Sequence, residues 1–248
     1  MKRFLLATTL LFPLTLGAQN HHFEIRDTAA HTINTYLRML NFQALPEDSI
    51  LYMETSITSP GSTDTLTMRR WFARPQMHRV EVFRGKELLT GLCSNGSDRF
   101  REYFPRYQYW ETVTPDKFHE DFSGYDFRGP LHNWNNNGYE VIWNGTTEYK
   151  GQPLQVVKVI SFSGYDRYYM FDPANSLLTL IIEELTVNGD TVPTQPAHID
   201  WKIIHEYTPI GESLIPSLES FMRDATLTIM ATTCRFLPRN NLIFNRDQ

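Results

Sequence analysis

Cysteine is scarce, with two residues in 248. That excludes a small disulfide-stapled fold and a cysteine-rich metal site. Basic runs are missing as well. Lys and Arg number 23 against 28 Asp and Glu, a formal net charge of −5 at pH 7, so nucleic acid and anionic lipid surfaces are poor candidates for partners. Beyond Asn20 no stretch approaches the roughly 20 apolar residues of a membrane-spanning helix. No linker divides the chain into domains. The motifs GxSxG, HExxH, the P-loop, a GxGxxG after a strand and paired CxxC are all absent. No set of residues supplies a nucleophile, base and oxyanion hole together.

The chain opens MKRFLLATTLLFPLTLGAQN, which reads as a cleavable secretory signal over residues 1–18. Lys2 and Arg3 precede a short apolar run, and small residues stand at Gly17 and Ala18. Loss of those two positive charges takes the net charge from −5 to −7. Residues 19–248 are then expected to form one exported domain with a sizeable core.

Residues 27–42 have helical spacing, with Ala30, Ile33, Leu37 and Leu40 on one face and Asp27 or Thr28 as cap. Strand-like runs follow at 51–58 and 65–72 around Pro60-Gly61-Ser62, then at 79–83, 88–93 and 99–104. In Arg79 to Phe83 the alternation turns Val80 and Val82 inward. Residues 115–135 break the β rhythm. Thr114 and Pro115 suit a helix start, whereas Gly124, Gly129 and Pro130 limit it to short pieces. β-like runs resume at 139–143, 154–162 and 166–171, with further runs at 177–187, 199–207, 214–223 and 225–235. Short connections make consecutive strands antiparallel.

The fold class expected is mainly β. It is an unclosed antiparallel barrel of about eleven strands, with an N-terminal helix and short helices as a lid. Aromatic residues make up 13% of the chain, which suits large apolar sheet faces. Several runs, VVKVISF, YYMF and LLTLII, are apolar on both faces. Something must cover each face, either helices and a ligand or simply a thicker core.

His119, Glu120 and Asp121 form a possible acid/base cluster, although the solvated face of a short helix explains them better. His21-His22 reads as a frayed terminus, and His205 as a core or cavity-wall histidine. Cys93 and Cys234 could pair or could be two buried small hydrophobes.

Two stretches carry a family resemblance. Trp71 to Val82, WFARPQMHRVEV, has an aromatic strand, a basic residue before Pro and an alternating strand, with Ser94-Asn95-Gly96 after it. Phe127 to Asp172 contains FRGPL, a GY-V strand, KGQP and DRYYMFD, and EYTPIGESLIP follows at 206–216. In this order they resemble the periplasmic outer-membrane lipoprotein-sorting (LolA-like) family in its Bacteroidetes form. The resemblance implies a non-enzymatic periplasmic carrier, without a cofactor or metal, that holds lipoprotein acyl chains or other lipid in an apolar cavity. It also implies inner- and outer-membrane transfer partners, no nucleic acid and a monomer. An enzyme or an envelope-assembly interaction protein on the same scaffold is the alternative. The candidate cavity and lid residues are Phe72, Arg74, Val80, Val82, Leu131, Trp134, Val157, Val159, Trp201 and Ile203. Arg74, before Pro75, is implied by the match to hold the lid to the barrel. Burial of each acyl CH₂ is worth about 0.8 kcal/mol, so such a carrier is expected to offer a dry apolar cavity.

Overall fold

The computed structural model describes residues 27–122, 124–129, 131–136, 138–160, 165–187, 190–191, 200–223 and 226–245. The expected leader, His21-His22 and the turn at 188–189 lie outside these residues. The described residues begin with helix α1 (residues 27–40) and continue into a 3₁₀ turn, Phe42–Ala44. A first meander follows, formed by β1 (Ser49–Thr58), β2 (Thr65–Ala73), β3 (Met77–Arg84), β4 (Glu87–Ser94), β5 (Phe100–Phe104) and β6 (Tyr109–Thr112). Helix α2 (Pro115–Phe122) and a turn-rich stretch lead to β7 (Glu140–Tyr149). The second meander continues through β8 (Gln152–Ile160), β9 (Tyr165–Phe171), β10 (Leu178–Val187), the two-residue β11 (Asp190–Thr191), β12 (Asp200–Ile210), β13 (Ser213–Arg223) and β14 (Thr226–Pro238). A last 3₁₀ turn spans Asn241–Phe244.

The strands form one antiparallel sheet in the order β6-β5-β4-β3-β2-β1-β14-β13-β12-β10-β9-β8-β7, with β11 paired only to β10. The first and last strands meet in its middle, where Thr55 faces Thr232 and their hydroxyls bond at 2.8 Å. The edges, β6 and β7, do not pair, so the sheet is unclosed. The segment carrying α2 links these two edges. The strand-like runs read from the sequence correspond to every strand but β6 and β11. β6 is only four residues long and is mostly exposed, so it has no buried alternation to signal it.

Helix α1 packs on one meander through Ala29, Ile33, Tyr36 and Leu40, all buried. This stripe is rotated from the expected one, and Ala30 and Leu37 flank it partly buried. Tyr36 meets the Phe171 ring edge-on, and Val157 and Val159 complete that cluster. The helix stops at Asn41, whose left-handed backbone (φ 47°) suits Asn. The Asn41 side chain donates to the Glu212 carbonyl at 3.2 Å. Helix α2 starts as expected, with the Lys117 amide donating to Thr114 Oγ1 at 3.3 Å. Its Phe118 and Phe122 rings stack on each other and bury against Met68, Val80, Val82 and Leu92.

The opposite, convex face has its own cover. Ile50, Ala73, Cys93 and Phe244 form a buried cluster there, flanked by Trp71 and Trp110. Under it lie Arg79 and Glu81, only 5% and 8% exposed. The alternation of β3 suggested a half-buried strand, yet both of its faces are covered because the C-terminal 3₁₀ turn folds back over it. Trp110 approaches so closely that a Cβ on Gly91 would lie 2.5 Å from its ring, and glycine is the residue that admits it.

Candidate functional site

A cavity of about 420 Å³ lies on the concave face, between the sheet and its helical cover. The stretch after α2 forms part of its wall through Asp126, Phe127, Arg128 and Leu131. Trp134 fastens this stretch to α1, donating from Nε1 to Asn34 Oδ1 at 3.3 Å. A second hollow of about 320 Å³ adjoins the first and shares Arg167, Ile181 and Lys202 with it. Trp201, Phe221 and Met222 line its far side.

Two of the candidate residues line these spaces, Leu131 in the first and Trp201 in the second. Phe72, Val80 and Val82 face the concave side, but Phe127 covers the first and α2 the other two. Trp134, Val157 and Val159 are packed against α1. On β12 the residues lining the first cavity are Lys202 and Ile204, while Ile203 is not among them. His205, expected in the core or cavity wall, is exposed and lies 2.8 Å from Ser220 Oγ.

The wall is not uniformly apolar. Met68, Leu178, Ile204, Ile215 and Met230 alternate with Arg70, Asp126, Arg128, Lys202 and Glu219. Most of these charges are paired. Arg128 holds Asp126 at 2.7 Å and Lys202 holds Glu219 at 2.6 Å, while Arg167 is bonded to Glu183. Bonding from Arg128 keeps the Asp126 carboxyl below the usual carboxylate range despite its burial. Arg70 differs. Its Nη2 donates to Thr55 Oγ1 at 3.0 Å, and among the described residues its buried Nε has no partner. Burial lowers its pKa, opposed through space by Glu219 and Asp126. One signal could have found Arg70, its place between Met68 and Phe72 on the inward face of β2.

Nearby, His78 is buried between the Phe72 and Phe122 rings, with centroids at 5.1 and 4.5 Å. Burial pushes its pKa down to about 3, helped by the Arg128 charge. Burial also raises the Tyr36 and Tyr207 hydroxyls well above their ordinary value, and Tyr207 donates to the Leu178 carbonyl at 2.9 Å.

Arg74 stands in the turn after β2. Its Nη1 donates to the carbonyls of Gln43 at 3.1 Å and Leu45 at 3.5 Å, in and just after the 3₁₀ turn that follows α1. Glu47 lies 3.7 Å away. Across α2, Asp121 is held by Lys117 at 2.6 Å, and exposed His119 lies edge-on to the Phe100 ring. Among the described residues, no three His, Cys, Asp or Glu side chains converge as metal ligands. Cys93 and Cys234 are both free thiols, one in the convex cluster and one packed against the concave core.

The fold matches several solved structures. A DUF1329 family protein from Desulfovibrio piger superposes with a TM-score of 0.59 at 12% identity, over 87% of this chain and 96% of its own. A putative outer membrane lipoprotein-sorting protein domain from Vibrio parahaemolyticus gives 0.59 at 13% identity, over 89% and 100%. A LolA superfamily protein from Nitrosomonas europaea gives 0.57 at 9% identity, over 88% and 98%. The chain therefore has a LolA-like fold, and at these identities the likeness is one of fold. No protein-family model and no curated protein matches the sequence.

Proposed function

We propose that this protein is an exported, non-catalytic carrier that shelters acyl chains of lipoprotein or other lipid for transfer to the outer membrane. The observation that carries the reading is the hollow left between an unclosed sheet and its helical cover, with a second hollow adjoining it. The fold likeness to a lipoprotein-sorting domain supports it. Residues 19–248 act as one domain after export by the leader at 1–18, and membrane-bound donors and acceptors are the partners. Native mass spectrometry of the protein purified from its exporting cells tests this. Co-purifying acyl species are expected, whereas a clean apo mass that ignores added lipopeptide would refute the reading.

In the same proposal Arg74 tethers the end of the helical cover to the rim. Arg is suited to this, because its fork of donors can satisfy two carbonyls at once. Arg74→Leu is expected to leave the fold intact and to change the uptake or release rate of a fluorescent lipopeptide. Wild-type rates would remove Arg74 from the mechanism.

A further inference from the structure

An acyl chain needs only apolar walls, yet this cavity is lined by Arg70, a cation that no described carboxylate contacts directly. Among the described residues Arg70 has no carboxylate within ion-pair distance, and Thr55 is its sole hydrogen-bond acceptor. Thr55 itself already bonds Thr232. The other cations of the wall, Arg128, Lys202 and Arg167, each have a carboxylate. Asp126 and Glu219 act on Arg70 through space, but each is already paired. Arg70 is half-buried in the cavity wall, where a cation without a carboxylate partner is a natural attachment point for an anion.

We propose that Arg70 is an anchor for the anionic head, carboxylate or phosphate, of a single-chain amphiphile whose tail occupies the apolar part of the hollow. This rests on the carrier reading and names its cargo class. Size points the same way. With about 30 Å³ per group, the first hollow of about 420 Å³ has room for about 14 groups and the second of about 320 Å³ for about 11 more. That suits one long chain and falls well short of the three of a triacylated protein. The tail runs past Met68 and Ile204 toward Ile181, where the second hollow continues to Trp201 and Phe221. Arg70 lines the cavity, and a guanidinium can grip carboxylate or phosphate oxygens with two parallel N–H donors.

The test is titration calorimetry of the whole protein with four probes: dodecanoate, dodecyl phosphate, dodecanol and inorganic phosphate. At least one anionic dodecyl probe is expected to bind at least about tenfold more tightly than dodecanol. Whichever of the two binds more tightly identifies the head. Arg70→Met, checked for folding by circular dichroism, is expected to bind dodecanol as before and to lose the anionic preference. Equal affinity of wild type for dodecanol and both anions overturns the anchor while leaving the carrier reading in place, and this comparison stands even if the variant does not fold. Retention of the preference in Arg70→Met overturns the assignment to Arg70. Inorganic phosphate binding as tightly as dodecyl phosphate, or no binding by any dodecyl probe, overturns the amphiphile and the carrier reading with it.

Discussion

Arg70 and Arg79 lie on neighbouring strands and on opposite faces of one sheet. Arg70 pairs in register with Val80, and Trp71 with Arg79. On the convex side, Arg79 sits between the Trp71 and Trp110 rings, at 5.7 and 5.3 Å, and donates from Nη1 to the Ile243 carbonyl at 2.8 Å and from Nε to Glu81 at 2.9 Å. Its donors serve the fold. On the concave side, Arg70 bonds a single threonine and leaves a donor idle. The same residue type therefore does two jobs. One arginine has its donors taken up by the protein, and the other keeps a donor that no described residue accepts.

Breaking the finished site should have the largest effect. Arg79→Leu strands the buried Glu81 carboxylate, and urea unfolding should show a loss of about 3–5 kcal/mol. The double variant Arg79→Leu/Glu81→Leu should recover most of that loss. A single-variant loss below about 1 kcal/mol would mean that the convex pair is not structural.

Next in size is a pH effect confined to the concave side. Unfolded histidine takes up its proton near pH 6.5, whereas folded His78 resists until about pH 3. The unfolded state therefore binds more protons in that window, so stability is full above pH 6.5 and falls as the pH drops toward 3. Between pH 7 and pH 5 this should remove about 2 kcal/mol, read from chemical denaturation at each pH. His78→Phe, with a ring between Phe72 and Phe122, should flatten that part of the profile. An unchanged slope would place the acid sensitivity elsewhere.

A smaller effect sharpens the contrast. Removal of Arg70 takes away an idle donor and leaves Thr55 bonded to Thr232, so Arg70→Met should change the unfolding free energy by no more than about 1 kcal/mol. A loss as large as that of Arg79→Leu would show that both arginines are structural. The smallest readout is chemical. Burial pushes the Cys93 thiol up to about 11, and it donates to the Phe244 carbonyl at 3.3 Å. Native protein treated with iodoacetamide near neutral pH should therefore be labelled at half-buried Cys234 before Cys93. The reverse order would mean that the C-terminal turn does not seal the convex cluster.

The sheet was legible because its signals are local. Pro60-Gly61-Ser62 and Asn95-Gly96 mark turns, and Val80 with Val82 marks an inward face by alternation alone. The contents of the hollow were not legible in the same way. Alternation placed Phe72, Val80 and Val82 inward correctly, but it could not say that Phe118, Phe122 and Phe127 would come from elsewhere in the chain to fill the space above them. Arg79 and Glu81 looked solvent-facing, since their cover is the 3₁₀ turn Asn241–Phe244, more than 150 residues away (Arg79 bonds Ile243 across 164 positions). On β12, which face meets the cavity depends on register across a bulge near Glu206, and sequence period does not fix it.

The seam between β1 and β14 sets an order of assembly. Thr55 and Thr232 are 177 residues apart, yet their strands are neighbours at the sheet's centre. Every other strand pairing along the sheet joins strands that follow one another closely in the chain. Loop closure across so long a separation carries the greatest entropic cost in the molecule and comes after the hairpins on either side have zipped. Until β14 arrives, β1 and β13 each present a bare backbone edge, the template on which chains aggregate. A chain delivered from its N-terminal end therefore carries an open edge at its centre until its last strand is in place.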